Sequence, residues 1–182
     1  GALRPAADHG TRGPPGNVTT RRLFFALWPG EEERDATLAA SRPVREGLGG
    51  RVVPRANLHL TLCFLGEAAA DAEREYRRTA DGIRRDPVTI QLDTLEWWEG
   101  PRVLCATSAA AMPDALDLAR KICPDIKSFR AHVTLAREVG ALAPPTAWPM
   151  SPVTWRCDRF VLVESRRDAL YSVAGEWTLY SA

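Results

Sequence analysis

The chain has 182 residues, of which 45% are apolar and 26% charged, and its formal net charge at pH 7 is +1. This near-neutral balance excludes a uniformly basic surface of the kind that wraps long nucleic acids. No apolar run reaches the roughly 18 residues that a membrane span needs, and no secretory pattern opens the chain, so we expect a cytoplasmic protein with no membrane partner.

The N-terminal residues 1–20 hold three Pro and four Gly and few large apolar side chains. This composition predicts a disordered leader or tag, followed by one domain over residues 21–182. Within that domain, Arg22–Trp28 (RLFFALW) has the apolar run of a buried strand. Three glutamates from Glu31 complement a helix dipole and predict a helix to about Ser41, which Pro43 should end.

The remaining elements are predicted from alternation, helical spacing and Gly or Pro turns. They are strands over Leu58–Leu65, Val88–Leu92, Leu95–Glu99, Arg102–Thr107, Phe129–Ala136, Val153–Glu164 and Tyr171–Tyr180, helices over Ala69–Arg85 and Pro113–Ile122, and a proline-rich loop over Gly140–Pro152. Many strands with few helices favour an α+β fold. Each half runs strand, helix, strand and further strands, which suggests a duplicated unit.

The cysteines offer no metal site. Cys63, Cys105, Cys123 and Cys157 form no C-x-x-C pair, and none has a histidine at ligand spacing. We therefore expect four reduced, mostly buried thiols.

Two of the three histidines stand in the same four-residue frame, histidine, apolar residue, threonine, apolar residue. The first frame lies in NLHLTLCFLG and the second in FRAHVTLAR. Because side chains alternate along a strand, the first strand should bury Leu62 and Phe64 on one face and present His59, Thr61 and Cys63 on the other. The second should present Arg130, His132 and Thr134. If the two polar faces line one cleft, two imidazoles and two hydroxyls meet there.

Such a constellation suits phosphate chemistry. Histidine titrates near neutral pH, so one imidazole can act as a base while the other acts as an acid. Threonine hydroxyls can donate to phosphate oxygens, and an arginine can neutralise their charge. These groups call for no metal and no cofactor.

The paired frames resemble the signature of the 2H phosphoesterases. The wider sequence is similar to that of the RNA 2′,3′-cyclic phosphodiesterases, also called 2′-5′ RNA ligases. The resemblance rests on RLFFAL from Arg22, on the two histidine frames, and on LVES from Leu162 with Tyr171. It covers about residues 21–180, and the second frame has Ala131 where the family usually has proline.

The resemblance implies two pseudo-symmetric lobes, each an antiparallel sheet with outer helices, around a central cleft that carries the two His-x-Thr strands. It implies a monomer that hydrolyses a terminal 2′,3′-cyclic phosphate on RNA to a 2′-phosphate, and in reverse forms a 2′-5′ linkage. By analogy, His59 would protonate the leaving oxygen and His132 would activate water. Thr61, Thr134 and Arg137 would hold the phosphate.

Several positions depart from this pattern or leave alternatives open. Cys105 stands where many relatives have tryptophan, and residues 113–129 are shorter than usual. Strict alternation points Arg137 away from the cleft unless the strand bulges near Ala136; otherwise Arg130 is the phosphate ligand. Phe25 and Trp98 are candidates for base stacking.

Two other functions fit the same residues. One keeps the chemistry but takes a small cyclic or 2′-5′-linked nucleotide instead of an RNA end. The other is a noncatalytic RNA- or nucleotide-binding module that retains the cleft.

Overall fold

The computed structural model describes residue 16, residues 18–168 and residues 170–181. Of the predicted leader, residues 1–15 and 17 lie outside the described residues, and Thr20 already belongs to the first strand. Its disorder, and the assignment of residues 21–182 to one domain, stay predictions.

The described elements alternate strands with three α-helices and one short 3-10 turn at Arg55–Asn57. In chain order they are β1 (Thr20–Leu27), α1 (Glu31–Leu48), β2 (Arg51–Val52), β3 (Leu60–Ala69), α2 (Ala70–Asp81), β4 (Val88–Trp98), β5 (Val103–Thr107), α3 (Pro113–Ile122), β6 (Val133–Arg137), β7 (Ala147–Cys157), β8 (Arg159–Ser165) and β9 (Tyr171–Thr178). No helix in the part of the chain that the structure describes combines the length and apolarity required to cross a bilayer.

The strands form two four-stranded antiparallel halves in the order β7-β4-β5-β6 and β3-β1-β8-β9, and β2 adds to β6. The halves mirror each other: β6 corresponds to β3, β5 to β1, β4 to β8 and β7 to β9. They join where Leu60 of β3 pairs with Val133 of β6. The predicted α+β fold with two pseudo-symmetric antiparallel lobes is therefore confirmed, with the two lobes continuous through this pairing.

The helices cover the sheet on its apolar face. α1 packs on β7, α2 on β3, and α3 on β3 and β4. In α3, Ala115, Leu118, Ala119 and Ile122 are buried at helical spacing, as its amphipathic pattern predicts. A buried hydrogen bond from the Trp155 indole to Thr37 ties β7 to α1.

Two proline-based predictions are wrong. α1 continues through Pro43 to Leu48 because Val44 and Leu48 still pack against the core, so tertiary contacts outweigh the lost hydrogen bond. The predicted loop over Gly140–Pro152 contains the start of β7. Proline is tolerated there because β7 is an outer strand that pairs with β4 alone among the described strands.

The prediction of a single strand over Val153–Glu164 is wrong as well, because the structure has two strands there, β7 and β8. Asp158 separates them, and its carbonyl accepts a hydrogen bond from the Leu179 amide.

The expectation of four reduced thiols is wrong for one pair. Cys63 of β3 and Cys123, just after α3, form a disulfide, whereas Cys105 and Cys157 are free and buried. Sequence spacing hides this bond, because the two cysteines lie 60 positions apart and meet through the packing of α3 on β3. The disulfide ties that helix to the strand carrying the first histidine frame.

We expect the disulfide to stabilise the fold by restricting the unfolded chain. The double substitution Cys63→Ala/Cys123→Ala should lower the free energy of unfolding by about 2 to 4 kcal/mol, measured by urea denaturation. Dithiothreitol should destabilise the wild-type protein and leave the double variant unchanged. An equal response of both proteins to the reductant would contradict the bond.

Candidate active site

The pairing that joins the two half-sheets also assembles the polar residues. In an antiparallel ladder, the neighbours of a matched pair lie opposite each other. The register of Leu60 with Val133 therefore sets one histidine of each frame across from the threonine of the other. Since the matched pair is fully buried, its neighbours turn to the cleft face. We call these four residues the quartet: His59, Thr61, His132 and Thr134.

Both imidazoles are held in the same way. His59 Nδ1 lies 2.6 Å from the carbonyl oxygen of Asn57, and His132 Nδ1 lies 2.7 Å from that of Arg130. A carbonyl can only accept, so each Nδ1 carries the proton and each Nε2 is left with a lone pair for the cleft. Thr61 Oγ1 lies 3.0 Å from His59 Nε2 and donates to it in this tautomer.

Burial keeps both histidines neutral. It lowers the pKa of His59 to about 4, against a partial offset from the hydrogen bond to Asn57 and with the positive charge of Arg137 adding to the shift. Burial likewise lowers the pKa of His132, helped by the charges of Arg130 and Arg137. At pH 7 the site therefore presents two neutral imidazoles and a positive charge.

A β-bulge follows the threonine in each frame. Along β3, Phe25 pairs with Cys63 and Ala26 with Thr61, so Leu62 is an extra residue. Along β6, Cys105 pairs with Thr134 and Leu104 with Ala136, so Leu135 is extra. An extra residue inverts the alternation beyond it.

The first bulge overturns the predicted faces of two residues. Cys63 is buried at 5% exposure in its disulfide instead of facing the cleft, and Phe64 is 73% exposed instead of buried. Phe64 packs beside Phe24, with ring centroids 5.9 Å apart. A large exposed aromatic ring thus joins the cleft wall, and single-sequence alternation could not reveal it.

The second bulge brings Arg137 to the cleft side. Arg137 lowers the pKa of both histidines, which requires proximity to both, and it forms no ion pair among the described residues. Arg130 instead lies 2.5 Å from Glu96 and stacks over Trp98 at 4.6 Å. Arg130 is therefore already engaged by a carboxylate, whereas the guanidinium group of Arg137 is available to an anion.

Aromatic rings enclose His59. Phe24, Tyr171 and Trp28 lie 4.9, 5.4 and 5.9 Å from the imidazole between ring centroids. Arg34 stacks on Trp28 at 5.2 Å and donates to the Leu58 carbonyl at 3.1 Å. Trp28 and Arg34 lie outside the sequence motifs, because they act through contacts that span separate elements.

The base-stacking prediction for Phe25 is wrong. Phe25 is 0% exposed and packs in the core against Phe160 and Trp177. Its neighbour Phe24 points to the cleft, since adjacent strand residues face opposite ways. Trp98 is half-buried with its ring 4.6 Å from His132, so it forms a wall for the second histidine; base stacking on it stays a prediction.

Cys105 lies on β5 beside Thr134 of the second frame, with which it pairs. It is 0% exposed, and its Sγ lies 4.0 Å from Thr134 Oγ1. Burial raises the pKa of its thiol to about 12, so the thiol stays protonated and unreactive.

Two cavities lie at the site, and the first of them opens from the quartet. The first has a volume of about 470 Å³ and is lined by Thr61 and His132 together with apolar side chains that include Phe64 and Phe129. The second, about 380 Å³, is lined by Phe64 on its other side and by Arg137, Tyr171, Phe24, Arg22 and Ser165. Within the described chain, no three His, Cys, Asp or Glu side chains converge to hold a metal ion.

We predict that Arg137 affects the pKa of both histidines, whereas Arg130 affects that of His132 alone. Arg137→Gln should raise the pKa of both histidines, because it removes a positive charge that disfavours their protonation. Arg130→Gln, the matched control, should raise only that of His132. Titration of the imidazole nitrogens by NMR measures both values and the Nδ1–H tautomer. Equal effects of the two variants on His59 would contradict this placement.

Comparisons with known proteins agree with this geometry. The family model described as LigT-like phosphoesterase matches residues 27–105. The RNA 2′,3′-cyclic phosphodiesterase of Thermus thermophilus is 30% identical, over 87% of this chain and 90% of that protein. The enzyme of that name from Escherichia coli is 26% identical, over 87% and 97%.

A solved structure shares the same fold. The crystal structure of E. coli LigT complexed with 3′-AMP superposes with a TM-score of 0.78, at 27% identity, covering 90% of this chain and all of the other. The match spans both half-sheets, and the Thermus relative spans nearly the full described chain. The chain therefore belongs to the RNA 2′,3′-cyclic phosphodiesterase family of LigT-like phosphoesterases.

Proposed function

We propose that this protein hydrolyses the terminal 2′,3′-cyclic phosphate of RNA to a 2′-phosphate, by acid–base catalysis with two histidines and no metal. The observation that carries the proposal is the quartet, in which two neutral imidazoles present Nε2 to one cleft. The names of the Thermus and E. coli relatives support the substrate.

The two histidines take opposite parts. His132 Nε2 accepts a proton from water as the water oxygen bonds to phosphorus. The bond from phosphorus to O3′ breaks, and His59 Nε2–H gives its proton to O3′. The product keeps the phosphate on O2′, and proton exchange with solvent returns His132 to the neutral form and His59 to the protonated form.

In the free protein both imidazoles are neutral. That form is the reactive one for the base, His132, whereas the acid, His59, must be protonated before it can react. His132 can accept a proton at pH 7 without any adjustment. His59 must first gain one, and a bound phosphodiester anion favours this because an opposite charge raises an imidazole's pKa. Thr61, which donates to His59 Nε2 in the free protein, then turns its hydroxyl to a phosphate oxygen.

Thr134 and Arg137 complete the phosphate site in this proposal. The Thr134 hydroxyl lies on the cleft face, and Arg137 supplies a positive charge near both imidazoles. The apolar cavity of about 470 Å³ next to the quartet offers room for the terminal nucleoside. The crystal structure of E. coli LigT complexed with 3′-AMP supports a nucleotide ligand for this protein.

Reverse ligation through a 2′-5′ linkage would use the same groups in the opposite direction. Hydrolysis of a small cyclic nucleotide is the second candidate, which the modest net charge favours. A monomeric state and a cytoplasmic location stay predictions.

Loss of either imidazole should stop turnover. We expect His59→Ala and His132→Ala each to lower kcat on a cyclic-phosphate-ended oligonucleotide by about 10²- to 10⁴-fold, with unchanged circular dichroism. His9→Ala is the matched control and should retain wild-type activity. EDTA should have no effect.

Product analysis tests the assigned roles. A 2′-phosphate end is expected, since O3′ is the leaving oxygen. A 3′-phosphate product would reverse the leaving group, and near-normal activity of either alanine variant would refute the mechanism.

The pH optimum of kcat, which reports the substrate complex, should differ from that of kcat/KM, which reports the free protein. In the free protein both pKa values lie below the ordinary 6.5, so kcat/KM should peak below that pH. It falls on the alkaline side as His59 loses its proton and on the acid side as His132 gains one. The bound anion raises both pKa values, so kcat should peak at a higher pH.

Uridine 2′,3′-cyclic phosphate suits this measurement because it has no group that titrates near neutral pH. Arg137→Gln should shift the kcat/KM profile toward alkaline pH. Coincident optima for kcat and kcat/KM in the wild-type protein would contradict the assignment.

A further inference from the structure

The second cavity is lined by three potential hydrogen-bond donors, one from each of the adjacent strands β1, β8 and β9. On β1, Arg22 shares the cleft face with Phe24, as residues two apart on a strand do, and both side chains line this cavity. The last matched pair of β1 and β8 joins Leu23 to Glu164, so one further residue sets Ser165 beside Arg22. Tyr171 of β9 pairs in turn with Ser165. All three side chains line the cavity of about 380 Å³, together with Arg137.

Arg22 differs from its neighbour Arg21 in its partners. Arg21 faces the helices and forms ion pairs at 3.0 Å with both Glu73 and Glu164. Arg22 is exposed and forms no ion pair among the described residues. The carboxylate opposite it, Glu67, instead accepts a hydrogen bond from Thr20 at 2.8 Å.

The cavity is therefore built to take an anion. Among the described residues, Arg22 and Arg137 have no carboxylate partner, and the hydroxyls of Ser165 and Tyr171 can donate hydrogen bonds. Guanidinium groups bind phosphate well. Arg137 is shared with the quartet, so an anion here sits next to the reacting phosphate rather than in its place. Phe64 separates this cavity from the apolar one.

We propose that Arg22, Ser165 and Tyr171 form a second phosphate subsite, which binds the phosphodiester on the 5′ side of the terminal nucleotide. This inference rests on the proposed function and narrows its substrate. An oligonucleotide fills both sites, whereas a nucleoside cyclic phosphate lacks the second anion. The subsite makes the protein selective for RNA ends over small cyclic nucleotides.

The test compares two dinucleotides that differ only in the charge of their linkage. Both end in uridine 2′,3′-cyclic phosphate and carry a 2′-deoxy first nucleoside, one joined by a phosphodiester and the other by a neutral methylphosphonate. The wild-type protein should favour the phosphodiester by roughly 10- to 100-fold in kcat/KM, the value of a charge-assisted hydrogen bond.

Arg22→Gln should remove this preference, bringing the two linkages within about twofold of each other. Arg22→Lys should restore part of it. Arg120→Gln is the control, since Arg120 is exposed on α3 and outside both cavities, and it should keep the wild-type ratio.

Two outcomes would overturn the subsite. One is a wild-type protein that hydrolyses both dinucleotides equally. The other is an Arg22→Gln variant that loses the same factor on both, which would place Arg22 on the reacting phosphate or in the fold. Failure of the wild-type protein to hydrolyse either dinucleotide or uridine 2′,3′-cyclic phosphate would instead refute the proposed function.

Discussion

The site depends on one backbone pairing, that of Leu60 with Val133, where the two half-sheets meet. Each half-sheet alone supplies one histidine and one threonine. Only the antiparallel register between them sets each imidazole opposite the hydroxyl of the other frame. A shift of that register by one residue would turn the quartet into the core and expose the apolar pair. The full burial of both side chains opposes such a shift, because it would expose two large apolar groups to water.

A bulge at the equivalent position of each frame turns a different side chain to the cleft, which makes the two halves chemically different. The extra residues Leu62 and Leu135 stand at the same place in the two frames. Beyond each bulge, the second residue turns to the cleft: Phe64 in one frame and Arg137 in the other. One geometric device thus places an apolar wall in the first half and a positive charge in the second. Symmetry of the backbone brings the groups together, and asymmetry of the side chains allows the two histidines to play different parts.

Burial sets the protonation of the site. The three rings around His59 exclude water and lower the pKa of the imidazole to about 4. The backbone carbonyl that receives Nδ1–H fixes the tautomer, so the remaining lone pair points where a substrate would lie. The same enclosure that keeps His59 neutral in the free protein makes it responsive to a bound anion, because electrostatic attraction is stronger in a poorly hydrated site. Binding and proton supply are coupled in this arrangement.

The sequence by itself determined the α+β class, the two His-x-Thr strands and the common face of histidine and threonine within each frame, because these follow from periodicity over a few residues. The tertiary structure decided the rest. The first bulge exchanges the faces of Cys63 and Phe64, and its position depends on the pairing of β3 with β1. The burial of Phe25 and the continuation of α1 beyond Pro43 depend on contacts with residues distant in the chain. The disulfide between Cys63 and Cys123 depends on such contacts as well. Local pattern determines which side chains share a face while a strand stays regular, whereas long-range pairing determines where a bulge inverts the faces and what each face meets.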